Sequence, residues 1–162
     1  MPVTIAPSAH ALPATRVLRQ FRIVFNAVKT HFRQVEHKAG VGGAQLWALA
    51  VIERAPGIGI TGLAQELDIH QSTASNLIRA LVERDLVEAS RDGQDRRNVA
   101  LRLLPAGCEV LQRAPAPFAG VLPDALGSLD EATLARLERD LGTLIGLLEA
   151  DERSAKVPLA QL

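Results

Sequence analysis

Apolar residues in this chain recur every three or four positions almost throughout, and at every second position in one place only. The exception is a pair of short runs, LVEAS (86–90) and NVALRLL (98–104). There Val87 and Ala89, then Val99, Leu101 and Leu103, alternate as half-buried strands do. One hairpin among helical spacings predicts a mainly α chain with a small antiparallel β-hairpin, an α+β arrangement. Hydrophobic residues make up 48% of the chain but aromatics only 3%, so the core has to be aliphatic, which suits helices.

The 162 residues suffice for one compact domain, or for one domain plus an assembly element. Residues 1–14 hold three prolines without periodicity and read as a flexible arm. From Arg16 to Ala39 a stripe of Leu18, Phe21, Phe25, Val28, Phe32 and Val35 marks a helix, which GVGG at 40–43 ends. A second helix is expected over Ala44–Arg54 and a third in TGLAQEL, with Thr61 as its N-cap. DIH turns the chain into a fourth helix, QSTASNLIRALVERD. Beyond the hairpin, Pro105 opens a helical region that Pro115, Pro117 and Pro123 should kink or divide. The last helix is expected from SLDE, where Ser128 and Glu131 have capping-box spacing. Its seam of Leu134, Leu137, Leu141, Leu144 and Leu148 is hard to bury within one chain. Residues 151–162 remain as a C-terminal tail.

Several function classes lack support. No basic segment followed by an apolar run opens the chain, and no stretch of about 18 apolar residues spans a membrane, so neither secretion nor membrane insertion is expected. Cys108 is the only cysteine, which forbids an internal disulfide and fits a reducing, cytoplasmic setting. GIGITG (57–62) matches a dinucleotide-binding spacing, but Pro56 and a helix precede it instead of a strand, so it reads as an inter-helix turn. No nucleophile–base pair or metal-ligand cluster stands out; His31, Glu36 and His37 lack zinc spacing. An enzyme, a cofactor and a metal are therefore not expected.

A short helix, a tight turn and a second helix form the arrangement that lays its second helix in the DNA major groove. In the fourth helix Ala74, Leu77, Ile78 and Leu81 fall on one side, at core spacing. Gln71, Ser72, Ser75, Asn76 and Arg79 fall on the other. These are residue types that pair with base edges: amides with adenine, serine with either base type, arginine with guanine. Any amphipathic helix has a polar outer face, but this one lacks Glu and Lys until Glu83. Between the two strands lies RDGQDRRNVA (91–100), in which Gly93 suits a tight tip. Arg97 there can enter a minor groove, Asp95 can hold it extended by a charge-assisted hydrogen bond, and Arg96 is left for a phosphate.

With these residues in view, the chain resembles the MarR family of winged helix-turn-helix transcriptional regulators over about residues 16–150. DGQDRRNVALRLLPAG is similar to the family's wing and the start of its fifth helix, and LAQELDIHQSTASNLIRALVERDLV to its helix-turn-helix. AQLWALAVI resembles its second helix, with Leu46 where an aromatic is common and Trp47 next to it. The resemblance implies a DNA-binding lobe at 44–104 and a helical dimerisation region at 16–39 and 105–150. It further implies a homodimeric repressor on a pseudo-palindromic operator, released by a small aromatic or carboxylic effector. Arg22, Asn26, His31 and Trp47 are candidates for the effector pocket.

Three departures stand out: His70 at the N-cap of the fourth helix, the prolines at 115, 117 and 123, and a poor local charge balance. Residues 61–104 hold six arginines against seven acids, within a chain whose Lys+Arg and Asp+Glu are 18 each. That balance keeps a second class open: a winged-helix module that mediates protein association and does not read DNA.

Overall fold

The computed structural model describes residues 12–91 and 99–161. Seven α-helices and one hairpin follow in the order α1 (Pro13–Ala39), α2 (Gly43–Arg54), α3 (Ile60–Glu66), α4 (Gln71–Glu83), β1 (Val87–Arg91), β2 (Val99–Leu103), α5 (Pro105–Arg113), α6 (Val121–Gly127) and α7 (Glu131–Leu147). Two short 3-10 turns, Glu152–Lys156 and Leu159–Gln161, close the described chain. No helix among the described residues is long and apolar enough to cross a membrane.

The core lies in the middle of the chain. Leu46, Leu49 and Ile52 of α2, Leu63 of α3, Leu81 of α4 and Leu101 of β2 are almost wholly removed from solvent. Helix α2 is apolar around most of its girth, which is why α1, α3, α4, α5 and β2 can all pack on it. The expected aliphatic core is what forms, with Trp47 only half-buried beside it.

Helix ends explain several boundaries. Helix α1 starts earlier than the sequence suggests: Pro13 takes the first position, where its missing N–H costs nothing and its fixed φ is already helical. Pro13 and Ala14 therefore belong to the helix, and residues 1–11 of the expected arm lie outside the described residues. At the other end Gly40 is left-handed (φ 71°) and donates its N–H to the Glu36 carbonyl.

Two predicted caps are corrected. The N-cap of α3 is Gly59, not Thr61, which already lies one position inside the helix. The N-cap of α7 is Asp130, whose carboxylate accepts from Thr133 N and Thr133 Oγ1, both at 2.8 Å. Ser128 instead ends α6, its Oγ donating to the Asp124 carbonyl. Asp out-competes Ser as a cap here because the ionised group satisfies both Thr133 donors at once.

The prolines divide the region after the hairpin into two pieces. Helix α5 stops at Arg113, before Pro115 and Pro117, and Pro123 falls in the first turn of α6, where it is tolerated. Helix α7 then stands apart, with no buried residue anywhere along it. The helical stripe of α1 divides in the same way: Val28 and Val35 are buried, while Leu18 and Phe25 are exposed.

The cap of α7 is testable through pH. Hydrogen bonds from Thr133 hold the Asp130 carboxyl below its usual range. The stabilisation is therefore present above the unfolded-state pKa and lost as pH falls through the lowered folded-state value. Asp130→Ala is expected to lower the melting temperature near neutral pH, with the gap from the native protein closing in acid. Thermal melts followed by circular dichroism across that pH range check it.

Candidate nucleic-acid interface

Helices α3 and α4 meet through a turn that the backbone over-determines. Asp68 is left-handed (φ 50°), Ile69 N–H donates to the Ala64 carbonyl at 3.0 Å and Asp68 N–H to that of Gln65 at 3.1 Å. Helix α4 ends identically: Asp85 has φ 55°, Leu86 N–H reaches Leu81 and Asp85 N–H reaches Val82, each at 3.0 Å. Both are Schellman closures with aspartate where glycine is usual. Aspartate tolerates the left-handed region better than most residues. Ile69 is buried beneath the first turn, which fixes the angle between the helices.

Helix α4 presents its two faces as its sequence predicts. Ala74, Leu77, Ile78 and Leu81 are buried. Gln71, Ser72, Asn76 and Arg79 are exposed and Ser75 is half-buried, so the five candidates lie on the side of the helix turned from the core. His70 is the N-cap and the helix start does not shift, although its side chain makes no capping bond. Its partners lie far along the chain: its N–H donates to the Lys156 carbonyl at 3.3 Å, and its Nε2 sits 3.1 Å from the Arg153 carbonyl. A carbonyl can only accept, so the ring contact requires the hydrogen on Nε2.

The hairpin is anchored at its base. Val87 pairs with Leu103, Ala89 with Leu101 and Arg91 with Val99, antiparallel. Val87 and Leu101 are buried, but Ala89 is exposed, so the inward alternation of β1 fades towards its outer end. Leu101 also exchanges hydrogen bonds with the GIGITG turn, accepting from Gly57 N–H at 2.7 Å and donating to the Ile58 carbonyl at 3.0 Å. That glycine-rich stretch is a backbone clamp on β2. Leu104 N–H donates to the Leu86 carbonyl at 3.0 Å, and Gly107 lies so close to the same carbonyl that any Cβ there would collide with it. Asp95, Arg96 and Arg97 lie outside the described residues.

Two arginines of this lobe have defined partners. Arg54 meets Glu66 at 2.8 Å, both exposed, a pair of small energetic weight. Arg84, just past α4, donates to the Gly40 carbonyl at 2.8 Å and so ties the end of α4 to the end of α1. Arg91 is exposed at the outer end of β1 and was not among the candidates, because a strand-end arginine has no signal in periodicity.

Of the candidates for an effector pocket, Trp47 lines an apolar cavity between α1 and α2. Arg22 and Asn26 are exposed on α1, and His31 is buried, 5.9 Å from the Phe32 ring. Cys108 is half-buried, and no group of three or more His, Cys, Asp or Glu suited to a metal occurs among the described residues.

Two helices joined by a tight turn, followed by a clamped hairpin, make this lobe a winged helix-turn-helix. A profile of the MarR family matches residues 39–98, the stretch from the end of α1 to the hairpin. A Thauera aromatica protein named for transcriptional regulation of the hcr operon is 29% identical over 124 residues, spanning 76% of this chain and 70% of that one. The fold is similar to that of a mutant Escherichia coli MarR complexed with operator DNA (TM-score 0.54, 18% identity, 83% of this chain and 99% of that one). It is also similar to the Streptomyces coelicolor PcaV regulator in complex with its natural ligand (TM-score 0.53, 19% identity, 88% and 98%). Residues 39–98 thus match the MarR family, and the fold that carries them is similar to that of the winged helix-turn-helix structures just described.

The close approach at Gly107 gives a direct test of how the hairpin is held. Gly107→Ala must push α5 away from Leu86 and is expected to cost about 1–3 kcal/mol, the usual range for overpacking. Urea denaturation of the variant beside the native protein measures it.

Proposed function

We propose that this protein is a homodimeric, cytoplasmic repressor that binds a pseudo-palindromic operator and is released by a small effector. The observation that carries the DNA-reading part is the two-faced α4: an aliphatic side locked into the core, and an outward side of Gln71, Ser72, Asn76 and Arg79 with no acid before Glu83. Amide and guanidinium groups on a helix that fits a major groove are the chemistry of base-edge pairing. Asp95, Arg96 and Arg97 would add minor-groove and phosphate contacts beside it, a role that rests on their sequence. Neither reading calls for catalysis.

The dimer rests on α7 and the first half of α1. Leu134, Leu137, Leu141 and Ile145 are exposed on α7 and Leu148 at its C-cap, as are Leu18, Ile23, Val24 and Phe25 on α1. A monomer would leave this apolar surface in water, at a cost of roughly 25 cal/mol for each Å² that association could cover. A second copy offers the same surface, and two-fold pairing would place two α4 helices on one side of a duplex. Leu137→Asp with Leu141→Asp is expected to yield monomers in sedimentation equilibrium and to abolish tight operator binding.

Titration of promoter DNA at several salt concentrations separates this function from a module for protein association. A DNA reader loses affinity steeply with salt, by a slope of about 0.9 for each phosphate neutralised. An affinity indifferent to salt would reject DNA reading. Asn76→Ala is expected to reduce discrimination at one base pair by about 1–3 kcal/mol while leaving binding to random DNA nearly intact.

A further inference from the structure

His70 holds the N-cap position of α4 without capping it. Serine, threonine, aspartate or asparagine there would fold an oxygen back onto the N–H groups of the first turn. The imidazole is directed elsewhere, to the C-terminal segment of residues 151–161. The His70 N–H donates to the Lys156 carbonyl at 3.3 Å, and Nε2–H to the Arg153 carbonyl at 3.1 Å. Two donors of one residue thus meet two acceptors of one 3-10 turn. That turn lies outside residues 39–98, which match the family profile.

The segment is seated at its other end as well. Ala160 packs against the aliphatic core, and Val157 and Pro158 are half-buried. At Gly43, the first residue of α2, a Cβ would run into the Phe32 ring and stand 3.1 Å from the Ala160 side chain. Glycine there lets Phe32 and the segment close over the start of α2. Between its two ends the segment is held by its own bonds. Asp151 accepts from the Arg153 N–H at 3.0 Å and from its guanidinium at 2.9–3.1 Å, and Ser154 Oγ donates to the Asp151 carbonyl at 2.6 Å. Gln161 N–H donates to the Pro158 carbonyl at 2.9 Å. A piece so knit refers the start of α4 to the start of α2, whose helix lies in the core.

We propose that residues 151–161 brace the reading helix and that His70 is a positioning residue: its imidazole binds the C-terminal segment in place of capping α4, and so fixes where Gln71 and Ser72 stand. This rests on the reading of α4 given above and adds to it a part of the chain far from the helix-turn-helix in sequence. Pairs between amides and base edges are directional and tolerate little tilt of the helix that presents them. Contacts between phosphates and long, flexible cations tolerate more. Loss of the brace therefore lowers discrimination between sequences and leaves the salt dependence of binding as it was.

Substitutions at His70 separate a brace from a cap, with the full-length protein and a duplex that it selects from a random pool. His70→Gln keeps an N–H donor within reach of the Arg153 carbonyl and is expected to behave as the native protein. In His70→Ala, amide exchange at position 70, corrected for the side-chain change, is expected to accelerate about fivefold, the equivalent of one hydrogen bond, with exchange in α2 unchanged. The ratio of affinities for the selected and a random duplex should fall by about fivefold at an unaltered salt slope. His70→Asp decides between the two roles, because aspartate is a good N-cap yet its carboxylate cannot donate to a carbonyl. It is expected to be as defective as His70→Ala in both measurements. Asp151→Ala, an exposed change that loosens the segment's first turn, should lower discrimination without adding to His70→Ala. Native discrimination in His70→Asp overturns the brace, as do unchanged exchange at position 70 in His70→Ala and full additivity with Asp151→Ala. Selection that yields no preferred duplex rejects the reading of α4 instead, and exchange at position 70 still decides the brace.

Discussion

The molecule depends on the burial of one side of one helix. Ala74, Leu77, Ile78 and Leu81 join the same aliphatic cluster as Leu49, Ile52 and Leu63, and that contact fixes the rotation of α4 about its axis. Rotation decides which side chains face outward, so the core sets the interface. Aliphatic side chains of defined shape pack in few ways, and a core at close packing resists slippage. The two left-handed aspartates, Asp68 and Asp85, complete the constraint by fixing where α4 starts and stops.

The charge distribution follows from the same economy of position. A chain with equal numbers of acids and bases has no long-range pull on a polyanion. Its arginines in the lobe are partly committed to structure: Arg54 to Glu66 and Arg84 to the Gly40 carbonyl. What remains on the outward face of α4 is short-range and directional, chemistry that, in the proposed function, would act only once a duplex is already close.

How much could be read beforehand depended on the range of the interactions. The four core positions of α4, the hairpin and the division of helix by Pro115 and Pro117 were legible because periodicity and proline act within a few residues. The N-caps at Thr61 and Ser128 were misplaced by two residues each. Several capping residues stood side by side, and only the full set of backbone partners decides between Ser128 and Asp130. The contacts between His70 and residues 153–156 had no local signal, since 83 residues separate His70 from Arg153. Nor could spacing tell that Leu18 and Phe25 stay exposed while Val28 and Val35 are buried, because one stripe along α1 serves two neighbours in turn.

The hydrogen bond from Arg84 to Gly40 has a mechanical meaning. It fastens the far end of α4 to the last turn of α1, whose 27 residues extend roughly 40 Å at about 1.5 Å each. A rod of that length is a lever: a tilt of about 5° at one end sweeps the other through about 3.5 Å, comparable to one base-pair rise. With α4 in a groove as proposed, geometry at the outer tip of α1 would be converted into register along the duplex, with a single guanidinium as the rivet.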